Sequence, residues 1–148
     1  PNNMKTHQSF GKSTAKLSKH IRKKLDEKIV NDQTIGLSPI QARVVGFLSH
    51  HEKVTATDIM DTFSLSKSSV SEILSALVEK NLITYERCND YSRKRAIEFT
   101  DEGQALSRAL AERLDAFNRK LVKGISQEDL ETVYRVFDIV RKNLEEME

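Results

Sequence analysis

Six of the twelve residues from Ser64 to Ser75 are serines: Ser64, Ser66, Ser68, Ser69, Ser71 and Ser75. Serine competes with the backbone for hydrogen bonds and is a mediocre helix former. Even so, Val70, Ile73, Leu74 and Leu77 follow the i, i+3, i+4, i+7 rule and predict a helix from Ser66 to about Lys80. With those four residues turned inward, Ser68, Glu72, Ser75 and Glu79 make the opposite face, with Ser69 and Ser71 on its flanks. Short side chains let a helix approach another surface closely, and their hydroxyls donate or accept to phosphates and base edges. Lys67, at the positive end of the helix dipole, adds a phosphate anchor. Glu72 is an acceptor suited to a cytosine amino group. Ser66, Lys67, Ser68, Ser69, Ser71, Glu72 and Ser75 are therefore candidate contacts to double-stranded DNA.

A second cluster supports the same chemistry. Arg93, Lys94 and Arg95 follow the polar run Asn89-Asp90-Tyr91-Ser92, and three consecutive cations on a protruding loop suit a phosphate backbone or a narrow minor groove. Thr55 and Thr57 stand at the start of a short helix and could hydrogen-bond phosphate. The net charge is only +2, but residues 1–30 hold eight Lys/Arg against two Asp/Glu, so the N-terminal arm is basic.

Other groups invite chemistry and do not complete it. Gly11-Lys12-Ser13-Thr14 has the tail of a phosphate-binding loop, which also needs a glycine where Thr6 stands. His50 and His51 are adjacent, so on a helix they diverge by about 100° and cannot share a metal as an i, i+4 pair does. His7 and His20 have no Cys or carboxylate at ligand spacing, and no metal or cofactor is expected. Cys88, beside Arg87, has the setting of a lowered thiol pKa, but a single partly exposed cysteine is usually incidental. No G-x-S-x-G elbow, His-Glu-x-x-His or glycine-rich cofactor turn is present, so the protein is not expected to be an enzyme.

The elements that must position these groups follow from the apolar pattern. Phe10, Leu17, Ile21, Leu25 and Ile29 predict a first amphipathic helix ending near Val30. Ser38-Pro39 opens a second, with Ile40, Val44, Phe47 and Leu48 inward, ending near His50. Thr55-Ala56-Thr57-Asp58 is a capping box opening a third, short helix with Ile59, Met60 and Phe63 inward. Ser64-Leu65-Ser66 is a turn, and the serine-rich helix is the fourth. Residues 83–87 and 95–99 alternate as two strands of a hairpin. Thr100 then caps a fifth helix carrying Leu106, Leu110, Leu114, Phe117 and Leu121, closed by Gly124. Ser126-Gln127-Glu128-Asp129 opens a sixth, whose Leu130, Val133, Phe137, Val140, Leu144 and Met147 form a narrow seam for another helix of the same chain or of a second one.

A short helix, a three-residue turn and a second helix with a small polar leading end make a helix-turn-helix, and the hairpin after it is a wing. The expected class is mainly α with a small β-hairpin wing, divided into a basic arm and helix (1–36), a winged helix-turn-helix domain (37–100) and C-terminal helices (101–148). No apolar run approaches a membrane span and the only cysteine is Cys88, so a soluble, cytoplasmic protein with no disulfide is expected. Pro1-Asn2-Asn3, before Met4, looks like a remnant of tag removal.

From about Leu17 onward the sequence resembles the MarR family of bacterial winged-helix regulators. The resemblance rests on Leu37-Ser38-Pro39-Ile40-Gln41, Ser68-Ser69-Val70-Ser71, Leu77 to Ile83, and Arg93 followed by Ile97-Glu98-Phe99-Thr100-Asp101-Glu102-Gly103. It implies a homodimer built from the first, fifth and sixth helices, with two lobes reading a pseudo-palindromic operator and Arg93 entering the minor groove. It also implies a small, often aromatic effector held between helical region and DNA lobes, for which Phe47, His50, His51 and Leu110 are lining candidates. The chain departs from the family pattern at Asn81, usually glycine, at Tyr85, usually arginine, and at Tyr91, usually the wing aspartate, although Asp90 stands one residue earlier.

The expected function is therefore a sequence-specific transcription regulator, acting as a ligand-responsive repressor. The alternative is a winged-helix module that binds a protein partner through the same surface, for which the near-neutral charge and the exposed Glu72 and Glu79 speak.

Overall fold

The computed structural model describes residues 3–85 and 96–147, with side chains from Ser9 onward. Six α-helices and one short hairpin are found among them: α1 (Asn3–Leu25), α2 (Pro39–His50), α3 (Ala56–Phe63), α4 (Lys67–Glu79), β1 (Ile83–Thr84), β2 (Glu98–Phe99), α5 (Asp101–Leu121) and α6 (Gln127–Glu145). This is the mainly α architecture with a two-stranded wing that the apolar pattern predicts. No helix among the described residues is long and apolar enough to cross a membrane.

The chain forms two compact units, Pro1–Leu114 and Asp115–Glu148. The core lies in the first. Ile59, Leu77 and Val44 are wholly inaccessible to solvent, joined by Val45, Val70 and Leu74 from the inner faces of α2 and α4. Fully burying each such side chain is worth about 1.5–3 kcal/mol, the main force that holds α2, α3 and α4 as one lobe.

Local chemistry sets where each helix begins. Ser38 Oγ accepts from Gln41 N at 3.3 Å while Gln41 Oε1 accepts from Ser38 N at 3.1 Å, a reciprocal cap with Pro39 at the first helical position. Thr55 and Asp58 do the same for α3, with Thr55 N donating to Asp58 Oδ2 at 2.8 Å. Ser66, Thr100 and Ser126 cap α4, α5 and α6 by accepting from the third backbone N–H ahead.

The first helix differs from expectation at its end. Beyond Leu25 the backbone widens into a π-helical turn, Asp26–Val30, and Asn31 N donates to Asp26 O at 2.9 Å. The wider turn carries both Ile29 and Val30, which are buried in the core. It also aims the Asp26 carboxylate at Arg43 of α2, at 3.2 Å.

The strands expected over 83–87 and 95–99 lie partly outside the described residues. Ile83 pairs with Phe99 and Thr84 with Glu98, and there the described ladder stops. Ile97 N, on the edge of the strand that faces away from β1, donates to Val54 O at 2.8 Å, so the returning strand is tied to the segment entering α3.

In the second unit, α6 has no buried residue among those described. Phe137 keeps 49% of its surface exposed and Leu144 keeps 62%, so the apolar seam of α6 stands open. In the first unit Leu17 of α1 is likewise 59% exposed.

Candidate nucleic-acid interface

The helix-turn-helix is built by α3, the turn Ser64-Leu65-Ser66 and α4. Ser64 sits in the left-handed region at φ 52°, and its N–H closes on Met60 O, which ends α3 and swings the chain toward α4. Leu65 N donates to Met60 O at 3.0 Å, and the Leu65 side chain is half-buried under the turn.

Ser66 Oγ is occupied as the cap of α4: it accepts from Ser69 N at 3.2 Å, donates to Ser69 Oγ at 2.9 Å and shares a hydrogen bond with Ser68 Oγ at 3.1 Å. Ser66 is thus structural, satisfying one of the orphan N–H groups that every helix start leaves. Lys67, Ser68, Glu72 and Ser75 are exposed, while Ser69 and Ser71 are half-buried on the flanks. Val70, Ile73, Leu74 and Leu77 are buried, as the periodicity requires. At the start of α3, Thr57 is exposed, whereas the Thr55 hydroxyl donates to Asp58 Oδ2 at 3.0 Å within the capping box.

Arg93, Lys94 and Arg95 lie outside the described residues, as do Cys88, Asp90 and Tyr91. Among the described residues no group of three or more His, Cys, Asp or Glu side chains could hold a metal ion.

Of the four residues proposed to line an effector site, the structure brings two into contact. The Phe47 and His51 rings stack with centroids 4.2 Å apart and planes at 29°, and His51 Nδ1 lies 3.0 Å from Phe47 O. Phe63 of α3 meets Phe47 edge-on at 5.8 Å and 81°, adding a third ring from the residues expected on the inward face of that helix. His50 is exposed, and Leu110 is buried in the core.

Several positioning contacts join residues far apart in the chain. Lys80, at the end of α4, donates through Nζ to Gly36 O at 2.5 Å and to Gln41 Oε1 at 3.2 Å. Asn81, left-handed at φ 58°, donates through Nδ2 to Glu102 of α5, and its carbonyl accepts from Thr100 Oγ1 at 2.6 Å. Gly103 lies so close to the Leu82 carbonyl that a Cβ would stand 1.9 Å from its oxygen. The end of α4 is therefore seated directly on the first turn of α5.

Beside the linker, Asp32 accepts from Thr34 N at 2.9 Å and Thr34 Oγ1 at 2.7 Å, and Arg113 of α5 pairs with it. The Thr34 backbone N–H, then its hydroxyl, hold the Asp32 carboxyl below the ordinary aspartate range, with Arg113 adding to them and desolvation opposing.

Residues 35–94 match the model of the MarR family. A comparison with curated proteins gives no match. Among solved structures, a Staphylococcus aureus MarR in complex with salicylate and kanamycin is 20% identical, with 99% of this chain and 96% of that chain covered at a TM-score of 0.77. MepR, a transcription regulator of the S. aureus multidrug efflux pump MepA, is 24% identical over 91% of this chain and 98% of its own, at 0.69. A MarR-family regulator from Listeria monocytogenes complexed with 26mer DNA is 12% identical over 90% and 87%, at 0.70.

Proposed function

We propose, from the premise that residues 35–94 are a MarR-family segment and that the chain has the winged-helix fold of MarR-family transcription regulators, that this protein binds operator DNA as a homodimer and represses transcription. The observation that carries this reading is the fit between the matched segment and α3, the turn and α4, whose outward face presents Lys67, Ser68, Glu72 and Ser75 to solvent. The Listeria protein of the same fold is complexed with DNA, which supports a nucleic-acid role for that face.

In this reading α4 enters the major groove, with Ser68, Ser69, Ser71, Glu72 and Ser75 toward base edges or sugar-phosphate and Lys67 on a phosphate. Thr57 contacts phosphate from the start of α3, and Thr55 and Ser66 hold the two helix starts at the backbone. Arg93, Lys94 and Arg95 supply the wing contacts to the flanking minor groove.

The open apolar seam of α6 and the exposed Leu17 of α1 support dimerisation through these helices. A second copy covering them sets two α4 helices about 34 Å apart, the spacing of successive major grooves. The protein acts in the cytoplasm and is not an enzyme. A small aromatic effector regulates it by favouring a dimer in which that spacing is lost. The Phe47, His51 and Phe63 rings supply an aromatic surface for such a ligand, with His50 and Leu110 as further lining. The salicylate complex of the S. aureus protein supports an effector of that class.

The test is selection of fragmented genomic DNA by the purified protein at about 150 mM salt, near physiological ionic strength, with Arg93→Ala in parallel. The expected result is a short inverted repeat, much weakened in the variant, with affinity falling at about 0.9 log units per log unit of salt for each phosphate contact. Enrichment of no sequence, even at low salt, would overturn the reading in favour of a protein-binding winged helix.

A further inference from the structure

The stripe that α4 turns outward is Ser68, Glu72, Ser75 and Glu79, at steps of four, three and four, and all four are exposed. It contains no Arg, Lys, His, Asn or Gln. The cations of this region stand at the two ends of the helix: Lys67 at its first residue, and Lys80, whose Nζ is drawn back onto Gly36 O and Gln41 Oε1. The side chains that ordinarily read guanine through O6 and N7, or adenine through N6 and N7, are thus missing from this face. The Ser68 hydroxyl is engaged with the Ser66 cap. Glu79 is the last residue of α4, next to the anchored Lys80 and Asn81, at the end farthest from the small polar leading turn. Glu72 stands between, exposed, with no ion pair to any cation among the described residues.

An ionised carboxylate can only accept hydrogen bonds. In the major groove guanine presents two acceptors, and thymine an acceptor beside a methyl group. Adenine presents its N6 donor beside the N7 lone pair, which repels the second carboxylate oxygen. Cytosine presents its N4 donor with no acceptor of its own beside it. We infer that Glu72 is the specificity-determining residue of α4, accepting a hydrogen bond from the N4 amino group of one cytosine in each operator half-site. The inference rests on α4 entering the groove, as in the function proposed above. Glu72 also repels phosphate wherever that cytosine is absent, so the same carboxylate weakens binding to non-operator DNA.

The experiment is selection from random-sequence duplex DNA by the full chain, by Glu72→Gln and by Glu72→Ala, with each variant checked by thermal unfolding. The wild type returns a motif with cytosine at one position per half-site, and replacing it costs about tenfold in affinity, as for a typical mismatch. Glu72→Gln returns adenine at that same position, because the amide matches N6 and N7. Glu72→Ala leaves that position degenerate, and both variants hold non-operator DNA more tightly than the wild type does. An identical motif from all three proteins overturns the role of Glu72 while leaving DNA recognition by the fold intact. A wild type that enriches no sequence overturns both readings. Glu72→Gln alone suffices should the alanine variant fail to fold.

Discussion

Lys80 and Gln41, 39 residues apart in the chain, meet at 3.2 Å between Nζ and Oε1. Gln41 Oε1 is the same atom that accepts from Ser38 N in the cap of α2, so one amide oxygen joins the start of α2 to the end of α4. With Asn81 bonded to Glu102, the end of α4 is held from two sides, by α2 and by α5. The direction in which α4 points is therefore set by its C-terminal anchors as well as by its buried face.

Replacing Lys80 by methionine removes both hydrogen bonds while keeping the aliphatic stem. Because the group is exposed, the expected loss is about 1 kcal/mol of stability. It is read as a lower urea midpoint at unchanged slope. An unchanged midpoint would show that the anchor contributes nothing in solution.

Gly103→Ala tests the seat of α4 on α5. The added methyl would stand 1.9 Å from the Leu82 carbonyl oxygen, a backbone atom that cannot rotate away. The expected cost is about 3 kcal/mol, at the upper end of overpacking penalties, measured by chemical denaturation. A variant as stable as the wild type would mean that β1 and α5 shift apart freely.

Asp32 gives a dependence on pH. Its folded-state pKa lies below the ordinary value, so its stabilising contribution is fully present above the unfolded-state pKa and is lost as pH falls through the folded one. Asp32→Asn is expected to be less stable than the wild type at neutral pH, with the two unfolding midpoints converging as pH falls below about 4, the usual aspartate range. A gap that stays constant with pH would show that Asp32 acts through hydrogen bonding alone.

Phe137→Glu probes the open seam of α6. Phe137 is half exposed in the single chain, so a charge there leaves the fold intact but is costly once a second copy covers it. The expected outcome is a change from two-chain to one-chain mass by sedimentation, with unchanged helical circular dichroism. A one-chain mass for the wild type would remove the dimer from the proposed function.

The sequence by itself determined the helices of this protein and most of their ends. Ser38, Thr55, Ser66, Thr100 and Ser126 each cap the helix that the apolar spacing predicts, because a cap and an amphipathic stripe are local and involve residues within a few positions of one another. The outward face of α4 was legible for the same reason: once Val70, Ile73, Leu74 and Leu77 are known to be inside, helical geometry leaves Ser68, Glu72 and Ser75 outside. Only the tertiary structure decided how that face is held. Contacts from Lys80 to Gly36, from Asn81 to Glu102 and from Arg113 to Asp32 join residues separated by tens of positions, and nothing in a residue's neighbours along the chain says which distant atom completes its hydrogen bonds. The π-helical turn after Leu25 and the bond from Ile97 N to Val54 O belong with them, since each follows from where a backbone donor found its partner once the core had closed.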